Sequence, residues 1–246
     1  MCTLEKRGNL FILTIIGDDE HRLNPTLIDS IREALHRARG ECSGPSALIT
    51  TAHGKFFSNG YDLAWAQSDR SRLLLMDAKL RCLISDLINF PMPTIAAVTG
   101  HASAAAFAFA MAHDYILMRK DRGFLYMSEL DIGLVIPPWF VTLLKSKAKS
   151  PVAWREVVLK AAKLTAEMGM EMGIVSSAHV SAEETVKAAV ELGEALVARK
   201  WDGEVYSENR RMVFVEVLAA TRSHETGAGG DDEKRAESVA KTLSKL

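Results

Sequence analysis

Between two glycines, residues 8–17 read Gly-Asn-Leu-Phe-Ile-Leu-Thr-Ile-Ile-Gly, an apolar and β-branched run of the kind that fills a buried strand. Asn24-Pro25 then sets an N-cap residue before a proline at the first helical position. Leu27, Ile28, Ile31, Ala34 and Leu35 recur behind it at helical spacing, which predicts a helix ending near Arg39. Residues 40–45 break that pattern, and residues 46–51 predict a second strand running into a phenylalanine-rich loop. Leu73, Leu74, Met76, Leu80, Leu83, Ile84, Leu87 and Ile88 mark a long helix that Pro91 and Pro93 stop. Residues 94–99 predict a third strand leading into a turn at Gly100, and residues 104–112, almost without polar side chains, predict a buried helix. Residues 115–118 return as strand. Beyond Pro137 the pattern is mainly helical, over residues 151–160, 165–172 and 182–199. Residues 223–232 have the glycines of a linker, and residues 233–243 read as a charged amphipathic helix. Strands alternating with helices predict an α/β protein built of right-handed parallel units.

Composition narrows this picture. With 246 residues and 48% hydrophobic content, the chain can bury a large core, read as a catalytic core over residues 1–180 and a helical C-terminal region over residues 181–246. A net charge of -1 gives no reason to expect nucleic acid or an anionic membrane surface, and His36-Arg37-Ala38-Arg39 reads as a solvated helix face. Cys2, Cys42 and Cys82 lack the spacing of a disulfide framework or a zinc site. No apolar run reaches the roughly 18 residues of a membrane span, and Glu5 and Lys6 stand where a secretory signal needs apolar residues. The expectation is a soluble intracellular protein. Its last tripeptide, Ser244-Lys245-Leu246, has the form of a receptor-read peroxisomal address, which implies a peroxisomal location and the import receptor as a partner. The bland alternative is a helix tail in which Ser, Lys and Leu are common.

Glu129 is the residue whose surroundings call for chemistry. It is set among apolar residues in Tyr126-Met127-Ser128-Glu129-Leu130-Asp131-Ile132-Gly133, after the small-residue turn Gly100-His101-Ala102-Ser103-Ala104-Ala105-Ala106. Small side chains over residues 102–106 let a substrate approach the main chain, and Gly60 admits unusual dihedral angles. Backbone amides from two such loops, aimed at one oxygen, stabilise charge that develops on a carbonyl. Burial by Met127, Leu130 or Phe107 would raise the Glu129 pKa towards neutrality and make it a better base. A capping or ion-paired surface glutamate is the plain alternative. Asp131 would share the Glu129 face only if the segment were extended. His101 reads as a structural hydrogen-bonding residue beside the turn. Met111, Met118, Met127, Met168, Met170 and Met172 read as core filling or as walls of an acyl tunnel. Lys55, Arg22 and basic residues of the last helices are candidates for phosphate contacts.

The stretch Lys55-Phe56-Phe57-Ser58-Asn59-Gly60-Tyr61-Asp62-Leu63, the Gly100 turn and the Glu129 segment through Gly133-Leu134-Val135-Ile136-Pro137-Pro138-Trp139 resemble the core motifs of the enoyl-CoA hydratase/isomerase (crotonase) superfamily. The resemblance extends over roughly residues 8 to 180, including Leu23-Asn24-Pro25 and Gly173-Ile174-Val175. It implies a crotonase (ClpP-like) spiral of repeated ββα units followed by helices that assemble a homotrimer or hexamer. It implies oxyanion-hole donors at the N–H groups of Tyr61 and Ala105. Substrate contacts follow at Ser58, Asn59, Gly60, Asp62, Leu63 and Ala104, with Glu129 as the acid/base. No metal or cofactor is implied, CoA arriving as part of an acyl-CoA thioester substrate.

Three departures from the superfamily's pattern stand out, and the first chooses among its activities. Hydratases carry an additional glutamate in the helix after the oxyanion turn; here that stretch is Phe107-Ala108-Phe109-Ala110, with Ala108 at the equivalent place. Alanines at 104–106 replace the usual glycines, and Ser128 replaces a proline. Adding water needs a second group for the second proton, whereas moving a double bond needs one base. The pattern is similar to isomerases that convert 3-enoyl-CoA to trans-2-enoyl-CoA in fatty-acid β-oxidation. An enoyl-CoA hydratase, a dienoyl-CoA isomerase using Asp131 as a second acid, and a catalytically silent acyl-CoA-binding protein of this fold remain the alternatives.

Overall fold

A computed structural model describes residues 1–67 and 69–226. The chain opens with a hairpin: β1 (Cys2–Arg7) pairs antiparallel with β2 (Leu10–Ile15), and Gly8, at φ 59°, makes the turn. The apolar pattern predicts only the second of these strands. β1 lies at the sheet edge with Glu5, Lys6 and Arg7 exposed, so it carries no apolar run to mark it. α1 (Pro25–Gly40) begins where the sequence predicts, with Asn24 Oδ1 accepting from the Leu27 N–H at 3.0 Å.

Three turns of a ββα spiral follow. β3 (Ala47–Ala52) leads to β4 (Phe56–Ser58), α2 (Leu63–Ala66) and α3 (Arg70–Ile88). β5 (Thr94–Val98) leads to β6 (His101–Ser103) and α4 (Ala105–Met111). β7 (Tyr115–Arg119) leads to β8 (Leu125–Tyr126), a 3-10 turn at Leu130–Ile132 and α5 (Pro138–Lys147). Each turn thus gives its first strand to one sheet and its second strand to another. The larger sheet is six-stranded, in the order β1-β2-β3-β5-β7-β9, and the smaller is three-stranded, in the order β4-β6-β8. The remaining elements are α6 (Pro151–Trp154) with a π-helical turn at Arg155–Leu159, α7 (Ala166–Glu171), β9 (Ser177–His179), α8 (Ala182–Val197), α9 (Gly203–Val213) and α10 (Val215–Thr226). The helix expected over residues 151–160 is therefore two pieces of different winding. Residues 223–226 of the expected linker belong to α10, which continues to Thr226; the rest of that expected linker, the helix at 233–243 and Ser244-Lys245-Leu246 lie outside the described residues.

The core fills both faces of the larger sheet. On one face, Phe11, Leu13 and Leu48 pack with α1, α3, α4 and α5, and Phe214, Val217 and Leu218 of the C-terminal helices join them. On the other, Leu10, Ile12, Ile49 and Ile95 pack with Ala189 and Leu196 of α8. A Cβ at Gly193 would come within 3.0 Å of Leu10 Cδ2, so glycine lets α8 lie close on the sheet. The helices beyond residue 180 are thus built onto the same sheet as the spiral. Asp114 and Arg210 tie them in: the guanidinium of α9 forks onto the Asp114 carboxylate at 2.6 and 2.5 Å and also donates to the carbonyls of Phe90 and Met92.

Candidate active site

The smaller sheet brings two loops together. β4 ends at Ser58, buried, whose hydroxyl donates to the His21 carbonyl at 2.6 Å; the Asn59 N–H donates to the Glu20 carbonyl at 2.8 Å. Leu23 then bridges the loop, its N–H donating to Gly60 O at 2.8 Å and its carbonyl accepting from Asp62 N–H at 3.3 Å. That pairing passes over the N–H of Tyr61, which finds no acceptor among the described residues. Asp62 caps α2, accepting from the Trp65 N–H at 2.9 Å and from Asn24 Nδ2 at 3.2 Å.

β6 lies beside β4 and runs into the second loop. Ala104, at φ 51° and ψ -117°, holds a conformation that favours glycine, fixed by its N–H donating to Tyr126 O at 2.8 Å. Ala105 is the first residue of α4, so its N–H has no acceptor within the helix. The loops touch: a Cβ at Gly60, itself at φ 74°, would stand 2.8 Å from Ser103 O, 3.4 Å from Ala104 Cβ and 3.6 Å from Ala105 N. Only glycine fits there, and the unpaired amides of Tyr61 and Ala105 lie on adjoining strands of main chain.

Glu129 follows β8, the third strand of the same sheet. Ser128, beside it, has its hydroxyl oxygen 3.3 Å from that of Ser103. The main chain turns at Glu129, whose carbonyl accepts from the N–H groups of Ile132 and Leu134. Its side chain is buried, at 6% exposure, and its Oε2 has no hydrogen-bond partner among the described residues. Burial without a compensating charge pushes its pKa up to about 7. The Tyr61 phenol is held well above its ordinary pKa by burial first, then by Asp77, and also by the Glu129 charge. The carboxylate therefore lies within electrostatic reach of the first loop.

Other expected residues divide into supports and bystanders. Ser58 and Asp62 are committed to hydrogen bonds within the loop, Asn59 and Leu63 are half-buried beside them, and Arg22 braces the loop by donating to Asn59 O at 2.9 Å and Tyr61 O at 3.4 Å. Asp131 does not share the Glu129 face: the segment is a 3-10 turn rather than extended, and Asp131 is exposed. Leu130 is 55% exposed and does not bury Glu129, whereas Met127 and Phe107 are fully buried. α4 is buried along its length, Ala108 included, and carries no carboxylate. His101 sits at the far end of β6 from Ala104, its ring against Phe56 and Phe124. Burial, followed by the charges of Lys55, Arg122 and Lys163, lowers its pKa. Met111, Met118 and Met127 belong to the core; Met170 is exposed. No group of His, Cys, Asp and Glu among the described residues could hold a metal ion, and no helix there is long and apolar enough to cross a membrane.

Sequence reasoning passed over Asp77 and Arg81. Asp77 accepts from Tyr61 Oη at 3.2 Å, from Trp139 Nε1 at 3.0 Å and from Arg81 Nε at 3.0 Å. A signal was present: the two form an opposite-charge pair one helical turn apart, beside the apolar positions Met76, Leu80 and Ile84.

Residues 18–209 match the enoyl-CoA hydratase/isomerase family. The chain belongs to that family. It is 57% identical over the full length of both chains to "Enoyl-CoA delta isomerase 1, peroxisomal" of Arabidopsis thaliana. It is 49% identical to "Enoyl-CoA delta isomerase 2, peroxisomal" of the same plant, over 88% of this chain and 93% of that one. Among solved structures, an enoyl-CoA hydratase from Mycobacterium marinum superposes with a TM-score of 0.81 at 21% identity, covering 90% of this chain and 95% of that one. At that identity the likeness speaks for the fold, and it agrees with the family's spiral of ββα units.

Proposed function

We propose that this family member shifts the double bond of a 3-enoyl-CoA to give trans-2-enoyl-CoA, with Glu129 as the single acid/base. The observation that carries this reading is a buried carboxylate with an unpartnered oxygen and a pKa of about 7, beside two loops with free amides and with no carboxylate on α4. A thioester oxygen held between the N–H groups of Tyr61 and Ala105 makes the C2 proton acidic, because the charge released on its removal is stabilised there as a dienolate. Glu129 takes that proton from C2 and returns it at C4. The double bond moves from C3–C4 to C2–C3, the thioester carbonyl is restored, and Glu129 ends ionised as it began. No water is added, so no second carboxylate is required. Ala104, Gly60 and Leu63 are the proposed walls for the thioester, while Ser58, Asn59 and Asp62 act by holding the loop.

The names of the Arabidopsis relatives support the same reaction and a peroxisomal location. Exposed Val205, Met212, Val213 and Val215 on the last helices support self-association into trimers or hexamers. The test is to follow thioester conjugation by ultraviolet absorbance with 3-hexenoyl-CoA and, separately, 2-hexenoyl-CoA. Conjugation that grows with the first substrate, little loss with the second, and collapse in Glu129→Gln are the expected results. Loss of the 2-enoyl chromophore by hydration, or full activity in the variant, would overturn the reading.

A further inference from the structure

Asp77 lies on α3 with its side chain 20% exposed, and its two oxygens have different tasks. Oδ2 accepts from Arg81 Nε at 3.0 Å, and Arg81 in turn donates to the Thr221 carbonyl of α10 at 2.8 Å. Oδ1 accepts two neutral donors, the Tyr61 hydroxyl at 3.2 Å and the Trp139 indole N–H at 3.0 Å. An ion pair that served stability alone would need only the first oxygen. The donors on the second come from two different segments of the site. Tyr61 carries the main-chain amide of the first loop, and Trp139, fully buried in the first turn of α5, ends the segment that carries Glu129.

We infer that Asp77 is a positioning residue, whose Oδ1 clamps the oxyanion loop to the Glu129 segment through Tyr61 and Trp139. This rests on the roles of Tyr61 and Glu129 proposed above. Tyr61 is otherwise held at its carbonyl, which accepts from Leu63 N–H at 3.0 Å and from Arg22 at 3.4 Å, and through Leu23, which bonds its neighbours Gly60 and Asp62. The phenol anchor adds the side-chain restraint that these main-chain bonds lack, and so bears on how residue 61 is rotated and where its N–H is aimed. Arg81 pairs with the clamp, so Asp77 fixes geometry without adding an uncompensated negative charge.

The experiment compares wild type with Tyr61→Phe and Asp77→Asn by two readouts. The first is the carbonyl stretch of hexanoyl-CoA labelled with carbon-13 at C1, a saturated thioester that binds without reacting. Donors aimed at the oxygen move that band to lower frequency in wild type, and the clamp predicts that most of the displacement disappears in both variants. The second is turnover of 3-hexenoyl-CoA: misaimed donors should lower kcat by about tenfold to a hundredfold while KM stays within about twofold. The pH midpoint set by Glu129 should not move, because its burial is untouched. Tyr61→Phe leaves the Asp77–Arg81 pair intact, so it carries the test if Asp77→Asn does not fold. An unchanged carbonyl band in folded Tyr61→Phe, or no displacement in wild type, overturns the inference. A displaced band in wild type, lost in the variants, without any turnover of 3-hexenoyl-CoA sinks the proposed reaction and leaves the clamp standing.

Discussion

Two carboxylates withdrawn from solvent, Glu129 buried and Asp114 with its side chain 13% exposed, are treated in opposite ways. Asp114 is enclosed by donors: Arg210 at 2.6 and 2.5 Å, the Thr94 N–H at 2.8 Å, the Thr94 hydroxyl at 3.2 Å and the Tyr206 hydroxyl at 3.3 Å. Burial by itself would raise its pKa, but Arg210 outweighs it, and the group stays below the ordinary carboxylate range. Glu129 has the same burial problem and no such answer, so its pKa rises to about 7. One site uses a charge to join α9 to the start of β5. The other leaves a carboxylate oxygen without a partner, which raises the basicity of the group. Folding favours the first arrangement, and the proposed reaction would use the second.

The strongest way to break this comparison is Glu129→Gln. Its isomerase activity should fall by about a thousandfold, measured by conjugation of 3-hexenoyl-CoA. Its stability should move the other way. The folded protein keeps the Glu129 proton up to about pH 7, whereas the unfolded chain releases it near 4.5, so ionisation costs stability as pH rises through that window. The variant should therefore gain up to about 3 kcal/mol at pH 8 and almost nothing at pH 4, by denaturant melts. His113 acts in the same window with the opposite sign. Buried and neutral, with a pKa lowered to about 4, it loses stability for the protein as pH falls from 6.5. The informative quantity is thus the difference between variant and wild type at each pH.

Arg210→Met tests the other carboxylate. It strands the Asp114 charge and should cost about 3 to 5 kcal/mol near neutral pH, with the loss shrinking once acid protonates Asp114. Equal stability at pH 7 would mean that Asp114 is not the charged anchor described. A smaller effect is expected in the pH profile. kcat/KM should rise with pH around a midpoint of about 7 as Glu129 ionises, and a midpoint near 4.5 would show an ordinary solvated glutamate. The smallest change expected is in Ala104→Gly, which relieves a left-handed alanine and should add about 1 kcal/mol of stability, read as a higher Tm.

Much of this architecture was legible along the chain because its causes are local. α1 shows its cap and its apolar stripe, α3 its stripe and terminating prolines, and β2, β3, β5 and β7 their β-branched runs. Glu129 was legible for the same reason: a carboxylate in an apolar stretch stands out from its neighbours, although a capping or ion-paired glutamate fits the same stretch. The smaller sheet was not. β4, β6 and β8 span only two or three residues each, too short for any period, and they exist because the spiral brings them side by side.

What the sequence by itself determined is therefore the set of helices and central strands, the motifs of the family, and the position of Glu129 in an apolar stretch. What only the tertiary structure decided is that Gly60 touches the Ala104 turn, that Glu129 Oε2 has no partner, that Asp131 faces solvent, and that Asp77 reaches Tyr61 and Trp139 together. Periodicity records which face of an element avoids water, a property of neighbouring residues. Hydrogen-bond satisfaction and electrostatic coupling depend on groups far apart in the chain, and those meet only once it is folded.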